Sequence, residues 1–168
     1  RGKKVLITGH TGFKGTWLTF LMVVSGAKVL GVSYGKKTKP SLFKILNLEK
    51  KIFHQNLDIS DFDKLKKTIN RFRPNFIFHL AAEAIVSRAY LDPLKTWRTN
   101  TIGTINILQI LKSIKFNVVT IFVTSDKVYK NLEAAFSYVG GRTDTLFSGV
   151  YIKERVPGLI AICMLADC

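Results

Sequence analysis

Three glycines stand three apart in KVLITGHTGFKG, residues 4–15: Gly9, Gly12 and Gly15. They follow a strand-like apolar run and open a segment with helical spacing. That context gives each glycine a task. Gly9 would let the chain turn tightly at the end of a strand. Gly12 would let the backbone come up against a pyrophosphate, and Gly15 would let a helix pack closely. The helix starting there would direct unpaired N–H groups and the positive end of its dipole at an anion. The pattern therefore predicts dinucleotide binding, with a purely structural turn as the competing reading.

Such a loop needs a strand before it, a helix after it and a second strand beside the first. The sequence supplies all three. Residues 4–8 (KVLIT) read as a short strand buried on both faces. Residues 14–25 carry Trp17, Leu18, Phe20, Leu21 and Val24 at helical spacing, and Gly26 stands where a terminal glycine would. Residues 28–34 read as the second strand. A polar loop ends at Pro40, and Ser41 would cap a short helix through residue 48. Residues 51–59 read as a third strand. Ser60-Asp61-Phe62-Asp63 resembles a capping box with Asp in place of Glu, opening a helix that Pro74 ends. Residues 75–81 and 117–124 read as further strands around a long amphipathic segment, 94–114. Strands alternating with helices predict an α/β fold, a doubly wound parallel sheet of Rossmann type. After about residue 141 the rhythm weakens. The reading is a Rossmann-like domain over 1–141 and a divergent tail over 142–168.

The 168 residues are enough for one domain with a substantial core, and 47% of them are apolar, which excludes a disordered tail. No apolar run is long enough to span a membrane, and none reads as a signal peptide. The two cysteines, Cys163 and Cys168, make neither a disulfide framework nor a four-ligand metal site. They read as free thiols of a cytoplasmic protein. The opening at Arg1 rather than Met reads as a fragment or a processed product. The net charge of +15 is uneven: residues 1–75 hold 16 Lys and Arg against 4 Asp and Glu. A basic half suits nucleic acid, a small anionic ligand, or simply solvated helix faces. No aromatic-interleaved basic stripe favours single-stranded nucleic acid.

The glycine spacing is that of short-chain dehydrogenases and reductases, particularly the extended branch acting on nucleotide sugars. TGHTGFKG (8–15), PSLF (40–43), LDISDF (57–62), FHLAA (78–82), TNTIGT (99–104) and TSDKVY (124–129), in that order, resemble the CDP-glucose 4,6-dehydratases. The resemblance covers about residues 3 to 138. It implies an internal redox cycle on CDP-glucose: oxidation at C4 by a tightly held NAD+, loss of water across C5 and C6, and return of hydride to C6. The product is CDP-4-keto-6-deoxyglucose. Ser125 would hydrogen-bond the C4 hydroxyl, Asp126 would be the acid at C6, and Lys127 would stand at the position of the C5 base. A basic lysine must be neutral, so burial or neighbouring charge must lower its pKa. The competing reading is that Asp126 and Lys127 only cap the end of the fifth strand. On the cofactor side, the resemblance implies the loop residues Gly9, His10, Gly12, Phe13, Lys14 and Gly15, with His10 and Lys14 neutralising the pyrophosphate. Asp58 and Ile59 would hold the adenine amino group. Ala81 and Ala82 would line the nicotinamide ribose, and Asn100 would support the site from the long helix. The family forms homodimers.

The sequence departs from that pattern in three places. Gly35-Lys36-Lys37 replaces the acid that would bind the ribose 2′-hydroxyl, and a lysine pair there would accept the 2′-phosphate of NADP. Glu83, Ala84 and Ser87 replace the usual Gln, Pro and Arg. The family's Tyr-x-x-x-Lys pair has no match, since Tyr151 is followed at that spacing by Arg155. Arginine stays charged and does not supply the same proton chemistry. The expectation is a chain without the sugar-nucleotide domain and incomplete for catalysis. The alternatives are a non-catalytic dinucleotide-binding module and a related epimerase or dehydratase using another sugar nucleotide.

Overall fold

The computed structural model describes residues 1–35 and 39–124, apart from the side chain of Val86, and the backbone of residues 158–164. Within them lie the strands β1 (Lys4–Thr8), β2 (Lys28–Ser33), β3 (Phe53–Asn56), β4 (Phe76–His79), β5 (Val118–Thr124) and β6 (Gly158–Met164). They form one sheet in the order β3-β2-β1-β4-β5-β6. Every pairing is parallel. Parallel neighbours need crossovers, and helices α1 (Phe13–Val24), α2 (Leu42–Ile45), α3 (Phe62–Phe72), α4 (Val86–Leu91), α5 (Pro93–Trp97) and α6 (Gly103–Ser113) lie in them. This is the doubly wound Rossmann arrangement that the alternating pattern predicts. The β6 strand comes from the stretch whose rhythm is weak. Its backbone runs in register with β5 from Val118↔Gly158 to Thr124↔Met164.

Alternate residues of a strand face opposite sides of the sheet. Leu6, Leu30, Ile77 and Phe122 point to one side, where Leu65 and Ile69 of α3 and Ile107, Ile110 and Leu111 of α6 cover them. Each such side chain contributes about 1.5–3 kcal/mol when fully buried. Val5, Ile7 and Val29 point to the other side, against Leu18, Met22 and Val23 of α1. There the outer stripe of α1, with Phe13, Trp17, Leu21 and Val24, remains exposed.

The local signals mostly act as read. α1 ends at Gly26, whose φ of +78° is the left-handed conformation that glycine adopts freely. β3 is shorter than the predicted 51–59, because Leu57 and Ile59 leave the strand to enter the core beneath α6. The cap of α3 is Asp61, which accepts a hydrogen bond from the Lys64 amide at 3.1 Å. It is not Ser60, whose amide is already turned back onto the Asp58 carboxylate at 2.8 Å. The long segment over 94–114 is broken: α5 and α6 are joined by a wide π-helical turn, Arg98–Ile102. Such turns often mark functional positions.

Candidate functional site

In an open parallel sheet, ligands sit beyond the C-terminal strand ends where the strand order reverses. Here the reversal falls between β1 and β4, which pair directly, with Thr8 opposite His79. The glycine loop leaves β1 at that point. Gly9 has φ +72°, and a Cβ on it would stand 2.8 Å from the amide nitrogen of Ala81. Gly15 is closed off from the other direction, since a Cβ there would run into the carbonyl of Gly9. These two glycines allow backbone to lie against backbone. The helix-packing task expected of Gly15 is therefore specific: α1 packs on the turn itself. Gly12 differs. It is exposed and caps α1, and a Cβ on it would meet only the Gly9 carbonyl, at 3.3 Å. The first turn of α1 holds no acidic residue and no side chain caps it. A first-turn amide has no partner within its own helix, so this end presents donors and a positive dipole end. Phe13 and Lys14 are exposed on that turn.

His10 is placed otherwise than a pyrophosphate contact would require of a loop side chain. Its ring is fully buried, with Nε2 2.8 Å from Nδ1 of His54 on β3. It makes a T-shaped contact with the ring of Phe43, with centroids 5.0 Å apart. Gly31 of β2 makes the room, because a Cβ there would strike the imidazole. His10 thus binds the loop to the β2–β3 crossover. The same contact explains why the loop and the PSLF segment belong together.

The remaining strand ends bring in the other predicted residues. Asp58 is half-buried and turned by its bond to the Ser60 amide. Ile59 is buried against α6, where Gly103 leaves space for it. Asn106, within α6, donates to the carbonyls of Ile59 and Ser60 at 3.0 Å each. Ala81 is half-buried beside Gly9, and Ala82 is exposed. Asn100, in the π-helical turn, accepts from the Glu83 amide at 2.8 Å and donates to the Glu83 carbonyl at 3.3 Å. Ser125, Asp126 and Lys127 lie outside the described residues, as do Lys36 and Lys37.

Sequence reasoning missed three polar residues here: Thr8, His79 and Asn106. All are buried. Asn106 carried the signal that singled out Asn100, an asparagine in the middle of an apolar helix. His79 bonds to Thr8 and Thr104, and burial lowers its pKa to about 4. A separate groove of about 580 Å³ lies at the β3 edge, lined by residues that include His54, Lys67 and Arg71 and none of the glycine loop. Among the described residues, no cluster of metal-ligating side chains occurs, and no helix is long and apolar enough to cross a membrane.

A model of the GDP-mannose 4,6 dehydratase family matches residues 6–137. The chain belongs to that family. Over 138 residues it is 40% identical to the CDP-glucose 4,6-dehydratase of Salmonella typhimurium, an alignment spanning 82% of this chain and 38% of that relative. The UDP-glucose 4-epimerase of Thermotoga maritima, solved with UDP-glucose, superposes with a TM-score of 0.61 at 26% identity, over 73% of this chain and 38% of the other. The UDP-glucose 4-epimerase of Brucella ovis, solved in complex with NAD, gives 0.64 at 24% identity over 77% and 38%, a likeness of fold. The chain is thus a Rossmann module related to the nucleotide-sugar 4,6-dehydratases and epimerases. It spans well under half the length of these relatives.

Proposed function

We propose that this chain is the NAD-binding portion of a CDP-glucose 4,6-dehydratase. The observation carrying this reading is the glycine loop, in which Gly9 and Gly15 are closed against backbone while Gly12, where a Cβ would meet only the Gly9 carbonyl at 3.3 Å, stands exposed at a helix end that no side chain caps. That combination suits a pyrophosphate: Gly9 and Gly15 let backbone fix the loop, and Gly12 leaves its exposed position at the helix end clear of a side chain. The narrower assignment to CDP-glucose rests on the 40% identity to the Salmonella enzyme.

In this reading the loop from Gly9 to Gly15 holds the diphosphate, with Lys14 and the first turn of α1 supplying positive charge and donors. The buried His10 acts from within, keeping the loop in place against β3. Asp58 and Ile59 border the adenine, Ala81 and Ala82 the nicotinamide ribose, and Asn100 shapes the β4–α4 loop. NAD+ when bound supplies reversible hydride acceptance. Ser125, Asp126 and Lys127 would hold the sugar's C4 hydroxyl, protonate the C6 hydroxyl and take the C5 proton. The second reading is a dinucleotide-binding module without turnover, favoured by the lack of a Tyr-x-x-x-Lys pair in these 168 residues.

Calorimetric titration of the chain with NAD+ and NADP+ tests the proposal. Saturable binding is expected, and Gly12→Val should abolish it while leaving the thermal midpoint within a few degrees of the parent. Binding of neither dinucleotide refutes the reading. Normal binding by Gly12→Val would make the loop only a turn.

A further inference from the structure

Thr8 and His79 face each other at the last positions of β1 and β4, both buried. The Thr8 hydroxyl oxygen lies 3.2 Å from the amide nitrogens of both Leu80 and Ala81. Amides only donate, so this oxygen accepts from Ala81 and shares the Leu80 hydrogen with the Thr8 backbone carbonyl, also at 3.2 Å. Its one hydrogen remains for Nδ1 of His79, 2.8 Å away. At the far end, the Thr104 hydroxyl is 2.6 Å from the carbonyl oxygen of Asn100, which only accepts. That hydroxyl therefore donates to Asn100, and its oxygen accepts from Nε2 of His79 at 3.0 Å. The Thr104 end fixes the imidazole, and the Thr8 end agrees with it. The ring is neutral, carries its hydrogen on Nε2 and accepts at Nδ1.

We propose that His79 is a positioning residue for the dinucleotide site, a one-way hydrogen-bonded bridge that ties the end of β1 to the Asn100 turn. The proposal rests on reading the glycine loop as that site. The bridge joins two clamps on one loop. Thr8 and Gly9 hold the β4–α4 loop at Ala81, and Asn100 holds it at Glu83 from the other side. Without the link each clamp moves with its own element, Thr8 with the sheet and Asn100 with the π-helical turn. With it, the glycine loop and the loop expected to line the nicotinamide ribose form one body. An apolar residue of similar size would also pack on the ring of Phe122, which His79 meets edge-on with centroids 5.4 Å apart. What the imidazole adds is the pair of bonds in opposite senses.

Two measurements on the 168-residue chain test the bridge. Long-range ¹H–¹⁵N correlation on histidine-labelled protein near neutral pH should show His79 neutral and protonated at Nε2; the other tautomer or a charged ring overturns the proposal. Thr104→Val then cuts the link while leaving His79 in place. Amide exchange at Ala81 and Glu83 should quicken roughly tenfold, and NAD+ affinity should fall by a similar factor. Exchange at Ile110 and Leu111, in the core, should hardly change. Uniform quickening would mark a merely structural role and overturn the proposal, as would NAD+ affinity unchanged from the parent. A parent chain that fails to bind NAD+ refutes the dinucleotide reading, and positioning with it. In that case the exchange data still separate a bridge from none.

Discussion

The two strand ends at the centre of the sheet are built by opposite means. At the end of β1 the structure depends on missing side chains, since Gly9 and Gly15 bring backbone onto backbone. At the end of β4 it depends on side chains present, because Thr8, His79, Thr104 and Asn100 join elements far apart in sequence. The first construction is local and stiff. The second is tertiary and can be altered one hydrogen bond at a time. The difference teaches that a binding loop and the loop facing it need not be held by the same physics, even where they touch at Gly9 and Ala81.

Substituting glycines should give the largest effect and break the β1 side outright. Any Cβ on Gly15 meets the Gly9 carbonyl, which is backbone and has nowhere to go. Gly15→Val is therefore expected to cost about 4 kcal/mol in urea unfolding, at the severe end of single substitutions. Mild destabilisation there would show that the turn can open, and the contrast between the two ends would weaken.

On the β4 side, pH should be the sensitive variable. Burial lowers the pKa of His79 from its ordinary 6.5 to about 4. Between these values the unfolded chain binds a proton that the folded chain refuses. The stability tied to neutral His79 is thus complete above about pH 6.5 and falls as pH drops through the window. It is lost as pH passes about 4, at an upper bound of about 3 kcal/mol. Unfolding free energies measured across that range should slope accordingly, and His79→Leu should remove that component of the slope. An identical slope in the variant would put the titrating group elsewhere.

Asn106→Ala should give the smallest effect and sharpen the comparison. It removes two bonds to the carbonyls of Ile59 and Ser60 at the end of β3. The expected loss is about 1–2 kcal/mol by chemical denaturation. No measurable loss would mean that burial of Ile59 beneath α6 holds that strand end unaided.

The readable parts of this site were those with a local cause. The glycine triplet, the helix stop at Gly26 and the strand–helix rhythm each follow from what a few adjacent residues can do. The Asp61 cap was misread by one residue, since Ser60 and Asp61 suit the role equally until the Asp58 turn claims the Ser60 amide. His10 sat in plain view as a loop residue, yet its burial depends on Gly31 and Phe43, 21 and 33 positions away. The break at the Arg98–Ile102 turn left no mark in the apolar spacing. That spacing records which face is buried and not whether the backbone widens by one residue.

The sequence by itself determined the layered parallel sheet, the place of the glycine loop within it and the family to which the chain belongs. Short-range sterics and period-specific burial are written into neighbouring residues, so no three-dimensional information was needed. Only the tertiary structure decided that the His10 ring lies inside against His54, that Asn106 and Asn100 clamp separate strand ends, and that the His79 ring is held between Thr8 and Thr104. These facts rest on hydrogen-bond partners 17 to 71 residues apart. A donor's direction is fixed by where its partners sit in space, which no local pattern encodes.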